Sequence, residues 1–323
     1  MKKIIAIIII ITVILCESAV SQTIDKLSLK EVSIETSISG KIHGTLTMPE
    51  KKKKKTPIAL IIAGSGPTDR DGNNSMMKNN SLKLLAEQLA LNGIGSVRYD
   101  KRGVAGSISA ARSESELRFE NYISDAKDWI NWIKINNPHS KIIVIGHSEG
   151  SLIGMIAATE TADAFISIAG AGRAIDIVLK EQLGSQPKMI KDISFQIIDS
   201  LKIGKTKDSI NPILFSLFRP SVQPYLISWF KYDPQIQIKN LHKPSLIIQG
   251  NNDIQVTTED ANLLNNANPK NKLIIIDKMN HIFKLVEGDR KANVDTYNNP
   301  SLPIAPLLIE NIVKFILSKN VMH

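Results

Sequence analysis

Cysteine is almost missing from this 323-residue chain, in which Cys16 is the only one. We expect Cys16 to be removed with an N-terminal segment. That would exclude disulfides, a cysteine nucleophile and thiolate metal ligands from the mature protein. The six histidines show no H-x-x-x-H or similar spacing, so nothing in the sequence supports a zinc site. We therefore expect no metal and no organic cofactor.

Long apolar runs are also scarce. The longest, Ile4 to Leu15, is shorter than the roughly 20 residues that a membrane-spanning helix needs. A short basic start precedes it, and Ala19 and Ser21 follow at the small-residue positions of a signal-peptidase site. We predict a signal peptide over residues 1–21, cleavage before Gln22, and no stable membrane span afterwards.

This N-terminal pattern predicts a secreted or periplasmic protein. Two alternatives stay open. One is a retained membrane anchor. The other is a lipoprotein attached through Cys16, which Leu15 disfavours because a small residue is expected at that position.

Acidic residues are outnumbered, since 40 Lys and Arg against 31 Asp and Glu give a formal net charge of +9. Part of this excess is one run, Lys51 to Lys55. No aromatic residue interleaves with it, whereas a stacking surface for single strands would need some. We interpret the run as a solvated loop and expect no nucleic-acid partner. Binding to an anionic surface is the alternative; it would weaken with salt and survive Ser148→Ala.

Strands and helices alternate along most of the chain. Val32 to Ser37 and Lys41 to Met48 alternate polar and apolar residues around Ser39-Gly40, which predicts a hairpin. The later strand–helix alternation predicts a mostly parallel sheet with helices on both faces. Strands are expected at 57–63, 94–100, 142–145, 164–170, 245–250 and 272–278, and helices at 81–92, 119–136, 149–159, 258–266 and 304–318. This core comprises residues 22–172 and 239–323.

Residues 173–238 break the alternation. Short stretches have helical spacing, as in Ile175, Val178 and Leu179, and five prolines should break them into short helices. We predict a helical cap inserted over the C-terminal edge of the sheet; a separate domain is the alternative. Its aromatic residues could line a pocket, but we expect most to serve core packing: Phe195, Phe215, Phe218, Trp229 and Phe230.

The stretch "GHSEG" follows a buried strand and precedes a helical pattern. A serine at such a sharp strand-to-helix turn has strained backbone angles, and the positions two residues either side, Gly146 and Gly150, must be small. The hydroxyl of Ser148 would then project above the sheet. The backbone N–H of Glu149 would point into the same space.

A serine nucleophile needs a base, and the base needs an orienting acid. His281 follows the last predicted strand and Asp253 follows the one before it, at the sheet edge where ligands bind in open α/β folds. Asp277 is the alternative acid, and capping the turn after the strand is the competing role for it. His147 should point away from the serine and pack under the turn.

The loop "AGSGPTDRDGNN" follows the first parallel strand. It should supply the second N–H donor for an oxyanion, from Ser65, with Gly66 as the competitor. Arg70 could pair with a neighbouring acid and lock this loop. An exposed Asx turn is the equally weighted alternative.

Five motifs together make a resemblance: "GSGPTDRDG", "RYDKRGVAGS", "GHSEG", "QGNND" and "NHIF". The chain resembles the α/β-hydrolase superfamily, and within it the serine aminopeptidase and carboxylesterase-like hydrolases that carry a helical cap. The resemblance implies an α/β-hydrolase fold, with Ser148 as nucleophile, His281 as base and Asp253 as acid. The family pattern has glycine two places after "DKRG", where this chain has Ala105, so the geometry of that turn is in question.

These residues predict a two-step acyl transfer without a cofactor. The expected substrate is a small-molecule ester or a short peptide. We favour a carboxylic ester hydrolase, because an enzyme that trims N-termini would also need a fixed carboxylate for the substrate's ammonium. An aminopeptidase-type peptidase is the alternative, and a non-catalytic binding protein on the same fold is a third hypothesis.

Overall fold

A computed structural model of the chain describes residues 27–322. The predicted signal peptide, its cleavage site and Cys16 lie outside the described residues. Eight strands form one sheet in the order β1-β2-β4-β3-β5-β6-β7-β8. The strands are β1 (Leu27–Glu35), β2 (Lys41–Pro49), β3 (Ile58–Ile62), β4 (Gly95–Tyr99), β5 (Ile142–His147), β6 (Ala164–Ile168), β7 (Ser245–Gly250) and β8 (Lys272–Ile276).

Twelve α-helices accompany the sheet over the described range. They are α1 (Ser81–Leu91), α2 (Phe119–Asn136), α3 (Glu149–Ala157), α4 (Ile175–Gly184), α5 (Lys188–Lys202), α6 (Phe215–Phe218), α7 (Gln223–Trp229), α8 (Pro234–Asn240), α9 (Thr258–Ala267), α10 (Arg290–Asp295), α11 (Pro306–Ile316) and α12 (Lys319–Met322). Short 3₁₀ turns lie at Ala105–Ala110, Glu114–Glu116, Pro212–Leu214 and Thr296–Asn298.

The sheet is mixed in direction, as predicted. Strands β1 and β2 form the antiparallel hairpin, β2 pairs antiparallel with β4, and β3 to β8 run parallel. The carboxyl ends of the six parallel strands therefore meet at one edge. Every residue of β3, β4, β5, β6 and β7 is buried, because helices cover both faces.

The two faces of β3 show how the core is divided. Leu60 points into a cluster with α2, while the adjacent Ile61 points into a second cluster with α1 and α11. Successive side chains of a strand point to opposite faces, so each apolar residue of β3 finds a helix. The prediction of a parallel sheet with helices on both faces is confirmed.

Helices α4 to α7 lie within residues 173–238, and α8 begins there and ends at Asn240. Their apolar residues share one hydrophobic cluster with α2. The Phe119 and Trp229 rings stack with centroids 5.6 Å apart. The prolines mark the starts of helices: Pro187 directly precedes α5, and Pro224 and Pro234 lie in the first turns of α7 and α8. A first-turn N–H has no intrahelical partner, so proline costs nothing there. The bounds of the cap remain a prediction.

The lysine run Lys51 to Lys55 is exposed in the loop that leads into β3. That loop lies at the amino ends of the parallel strands, whereas Ser148 follows the carboxyl end of β5. The run is therefore at the sheet edge opposite the predicted nucleophile. Between Leu27 and Met322, none of the helices combines the length and hydrophobicity that a bilayer crossing requires.

Candidate active site

Ser148 occupies a strained corner between β5 and α3. Its backbone has φ 54° and ψ −119°, a conformation that costs energy for a residue with a Cβ. A Cβ on Gly146 would lie 2.2 Å from the Gly150 carbonyl oxygen, and one on Gly150 would lie 2.4 Å from the Ile62 carbonyl oxygen. Only glycine fits at either position, so the two flanking glycines permit the corner.

The acid and the base predicted from the sequence are hydrogen-bonded. Asp253, in the loop after β7, has its Oδ2 2.8 Å from Nδ1 of His281, in the loop after β8. The other carboxylate oxygen accepts the backbone N–H groups of Gln255 and Val256. A carboxylate only accepts, so Nδ1 of His281 carries the proton and Nε2 is left as an acceptor.

Burial raises the pKa of Asp253, but its neighbours outweigh burial. Its electrostatic interaction and hydrogen bond with His281, together with the two N–H donors, bring the pKa of Asp253 below its ordinary value. Gln249 also donates to the same Oδ2, at 3.0 Å. The carboxylate is thus held ionised and fixed in orientation against the imidazole.

Asp277, the alternative acid, does not contact His281. It accepts a hydrogen bond from the amide of Asn251 at 2.8 Å, on the exposed surface. Asp277 therefore supports the turn after β8.

Ser148 and His281 line one cavity together with Ser65. Within residues 27–322, no hydrogen bond joins the Ser148 hydroxyl to the His281 ring. Such contacts are often long in enzymes without substrate and tighten when it binds. The cavity is the place where a reacting atom would meet both groups.

His147 has a role that the sequence prediction missed. Its Nε2 lies 2.9 Å from the backbone oxygen of His281, and the two ring centroids are 4.8 Å apart. Burial lowers the pKa of His147 to about 3, and the electrostatic interaction with His281 adds to the effect. His147 is therefore a neutral donor that supports the loop carrying His281. The one sequence feature that could have indicated this role is the position of His147 directly before Ser148.

Two backbone donors are free beside Ser148. In the described chain, the N–H groups of Ser65 and Glu149 donate to no other residue's backbone oxygen or side chain. Glu149 is the first residue of α3, where an N–H lacks an intrahelical partner. Ser65 lines the cavity of Ser148 and His281, whereas Gly66 lines a different one.

Both interactions proposed as alternatives for the loop after β3, an Arg70 ion pair and an Asx turn, are present. Arg70 Nη2 lies 2.8 Å from Asp100 Oδ2, and Nη1 lies 2.6 Å from Glu31 Oε2. Asp69 meanwhile accepts the N–H groups of Asp71 and Asn73, which makes an Asx turn. The ion pairs and the turn act together to fix the loop.

A buried ion pair beside Ser148 was not predicted. Lys101 Nζ lies 2.6 Å from the Gly64 carbonyl oxygen and 3.0 Å from Glu149 Oε2. The Tyr225 hydroxyl, from α7, donates to the other oxygen of Glu149. No local pattern in the sequence predicts these contacts, because the partners are far apart along the chain.

Lys101, Glu149 and Tyr225 lie in the wall of a cavity of about 330 Å³. Glu114 and Arg219 face each other in the same wall and are ion-paired. The five aromatic residues of 173–238 that could have lined a pocket are absent from this wall. Three of those aromatics are buried in the core: Phe218, Trp229 and Phe230.

The turn after "DKRG" keeps a left-handed conformation despite its alanine. Ala105 has φ 45°, in the region where glycine is free of strain. The departure from the family pattern therefore places strain at one exposed residue.

The fold and the site together define a class of protein. A mostly parallel eight-stranded sheet, with a serine at a strained turn between a strand and a helix and an Asp–His pair after later strands, is the architecture of α/β-hydrolases. The chain has the α/β-hydrolase fold.

The chain is similar in sequence to a family model and to a protein named as an esterase. A family model described as serine aminopeptidase, S33, matches residues 78–213. Esterase EstD of Thermotoga maritima is 27% identical over 268 residues, which are 79% of this chain and 61% of EstD. The chain thus spans about three fifths of the length of that relative.

Solved structures of esterases have the same fold. Est1E of Butyrivibrio proteoclasticus, with ferulic acid bound, superposes with a TM-score of 0.60 at 17% identity, over 89% of this chain and all of that one. Esterase Pf2001 of Pyrococcus furiosus gives 0.56 at 16% identity, over 92% and 94%. At this identity the likeness concerns the fold alone.

Proposed function

We propose that the protein is a serine hydrolase that cleaves carboxylic esters through an acyl-enzyme intermediate. Ser148 attacks the ester carbonyl while His281 Nε2 takes its proton. The N–H groups of Ser65 and Glu149 hold the resulting oxyanion. His281 then protonates the leaving alcohol, and later activates the water that releases the acid.

The observation that carries the proposal is the 2.8 Å contact between Asp253 and His281, with His281 and Ser148 on one cavity wall. Asp253 stabilises the imidazolium that forms when His281 accepts the serine proton. A buried Asp–His pair has no comparable use in a purely structural loop, because the loop's backbone is already held by His147 and Gln249.

The charges around the larger cavity favour an ester over a peptide N-terminus. An aminopeptidase needs a free carboxylate to bind the substrate's ammonium. Both oxygens of Glu149 are occupied, by Lys101 and Tyr225, and Glu114 is occupied by Arg219 and Ser221. Within the described wall, each glutamate already has its partners. A neutral acyl or alcohol group suits this cavity better than a cation.

EstD, the relative by sequence, supports the same choice, since it is named as an esterase. The family model is described as a serine aminopeptidase, which keeps peptide hydrolysis as the second candidate. One assay distinguishes an esterase from a peptidase. It measures the turnover of nitrophenyl esters of rising acyl length beside that of aminoacyl nitroanilides, with the wild-type protein and with Ser148→Ala. We expect ester turnover to exceed amide turnover and to fall at least about 1000-fold in Ser148→Ala.

Ser151→Ala is the matched control, because it removes a buried hydroxyl one turn further along α3. That hydroxyl pairs with Ser167 at 2.7 Å and lies outside the proposed machinery. It should keep its ester turnover. Amide turnover above ester turnover would favour the peptidase. Full activity in Ser148→Ala would remove the proposed nucleophile, and absence of any turnover in the wild type would favour a binding protein.

We also propose that the protein is exported after cleavage before Gln22, and that residues 173–238 act as a cap over the substrate. The export proposal is supported by the N-terminal sequence pattern. Mass spectrometry of the protein recovered outside the cytoplasm should give a chain that begins at Gln22. A full-length or lipid-modified chain would contradict it.

A further inference from the structure

Lys101 is a buried lysine that the proposed reaction does not use. It follows β4 by two residues, and its side chain is 2% exposed. Lysine is almost never fully buried unless paired. Its ammonium group has two partners at hydrogen-bond distance, the Gly64 carbonyl oxygen and the Glu149 carboxylate.

The first partner fixes a backbone donor. Gly64 and Ser65 share one trans peptide, in which the carbonyl and the N–H point in opposite directions and move as one rigid plane. An ammonium group 2.6 Å from the Gly64 oxygen therefore sets the direction of the Ser65 N–H. That N–H is the donor proposed for the oxyanion.

The second partner belongs to the other donor. Glu149 contributes the backbone N–H after the nucleophile, and its side chain, 1% exposed, accepts from the same ammonium. Tyr225 holds its remaining oxygen. One buried cation thus contacts both the Gly64–Ser65 peptide and the side chain of Glu149, whose backbone N–H is the other proposed donor.

We propose that Lys101 is a positioning residue for the oxyanion hole: it aims the Ser65 N–H through the Gly64 carbonyl and anchors Glu149 beside it. This inference rests on the proposed function. A purely structural ion pair is the competing explanation. Buried ion pairs contribute little to stability compared with well-packed apolar residues, so stability alone gives Lys101 no evident reason to be there.

A double variant and its single-variant reference distinguish a positioning role of Lys101 from a purely structural ion pair. Lys101→Met alone leaves the Glu149 carboxylate buried without a cation, which can unfold the protein. Lys101→Met combined with Glu149→Gln leaves no buried charge at this place, while the Gly64 oxygen still loses its donor. The reference is Glu149→Gln alone, in which the Lys101 ammonium keeps its contact with the Gly64 oxygen. Because that ammonium loses its carboxylate, the melting temperatures of both variants are measured before their turnover is compared.

Against this reference, we expect the double variant to lose about 10- to 100-fold in kcat, with KM changed by less than about threefold. Donors of this kind act on the transition state, and the loss of a whole one costs about 100- to 1000-fold. The affinity for an aryl trifluoromethyl ketone, whose serine adduct carries an oxyanion, should fall by the same factor. Unchanged kcat and inhibitor affinity would overturn the proposal, as would a higher KM at unchanged kcat.

Arg173→Met is the matched control. It also strips a cation from a buried carboxylate, because Arg173 Nη2 lies 2.8 Å from Asp260, which is 1% exposed. It should lower the melting temperature and leave kcat and inhibitor affinity unchanged. Losses of kcat that follow the melting temperature across all variants would show that Lys101 acts only through stability.

Crystal structures of the reference and the double variant provide a test that needs no turnover. We expect the Gly64–Ser65 peptide to rotate, or to adopt two orientations, only where Lys101 is replaced. An unmoved peptide overturns the inference. Should the wild-type protein hydrolyse no ester, the proposed function fails, and the orientation of this peptide still decides whether Lys101 positions it.

Discussion

At the scale of single residues, His147 makes the free energy of unfolding depend on pH. Its imidazole is buried under the turn of Ser148, and burial lowers its pKa from 6.5 to about 3. Between these values the unfolded chain binds a proton at His147 and the folded chain does not. The free energy of unfolding therefore falls as the pH drops from 6.5 towards 3.

We predict that His147→Gln, which can still donate to the His281 carbonyl but cannot titrate, removes this dependence. The difference in the free energy of unfolding between wild type and variant should change by up to about 1.4 kcal/mol per pH unit below 6.5. Urea unfolding at pH 4 to 7 measures it. Parallel stability curves for the two proteins would show that His147 protonates equally in both states.

Residues of the site differ in how visible they are in the sequence. Ser148, Asp253 and His281 could be named because each follows an apolar run that predicts a strand, and parallel strands bring their carboxyl ends together. Lys101 and Tyr225 could not. Lys101 lies 48 residues from Glu149, and Tyr225 lies 76 residues from it. Pairs this distant are set by tertiary packing, which leaves no periodic signal.

At the scale of elements, the interior of each strand and helix was more predictable than its ends. The predicted helix 119–136 matches α2, because its apolar spacing covers the whole element. Strand β1 already includes Leu27, five residues before the predicted Val32, and Leu27 pairs with Pro49 of β2. Ladder pairing extends a strand beyond the stretch that its own alternation indicates.

The close contact between β3 and α3 requires glycine at position 150. Helix α3 approaches the strand so closely that a Cβ at Gly150 would lie 2.4 Å from the Ile62 carbonyl oxygen. Backbone cannot yield there without moving the helix and the Ser148 corner with it. We expect Gly150→Ala to destabilise the protein by at least about 3 kcal/mol and to abolish esterase turnover, measured by thermal melting and ester assay.

Gly154→Ala is the control on the same helix. Its Cβ would meet only side chains, at 3.0 Å from Phe165 and Val144. Alanine also favours the helix by about 1 kcal/mol over glycine, which offsets the crowding. A Gly150→Ala protein that melts and turns over like Gly154→Ala would contradict the close approach of α3 to β3.

At the scale of the whole molecule, residues 173–238 connect to the sheet core through several polar contacts. Arg173 binds Asp260 at the base of α9, Ser228 accepts the N–H of Phe119, and Tyr225 donates to Glu149. The last contact reaches the residue after Ser148. The helical segment is thus joined to the proposed catalytic corner as well as to the core.

A further link between the two parts lies in the wall of the larger cavity. Arg219, beyond α6, pairs with Glu114 of the 3₁₀ turn before α2, with side chains 32% and 36% exposed. An ion pair of this exposure is worth about 0–1 kcal/mol, so its loss should barely change the melting temperature. Its loss does leave one charge without a partner in the cavity.

We therefore predict a change of specificity without a change of fold. In Arg219→Met the Glu114 carboxylate keeps only Ser221 as a partner, and esters that carry an ammonium group should show a KM lower by about 2- to 5-fold relative to neutral esters. Glu114→Gln combined with Arg219→Met should cancel the gain. Lys180→Met, which removes the Lys180–Asp199 pair between α4 and α5, is the control. Equal KM ratios in all of these variants would mean that substrate does not enter this cavity, and the acyl or alcohol group would then have to lie on the His281 side of Ser148.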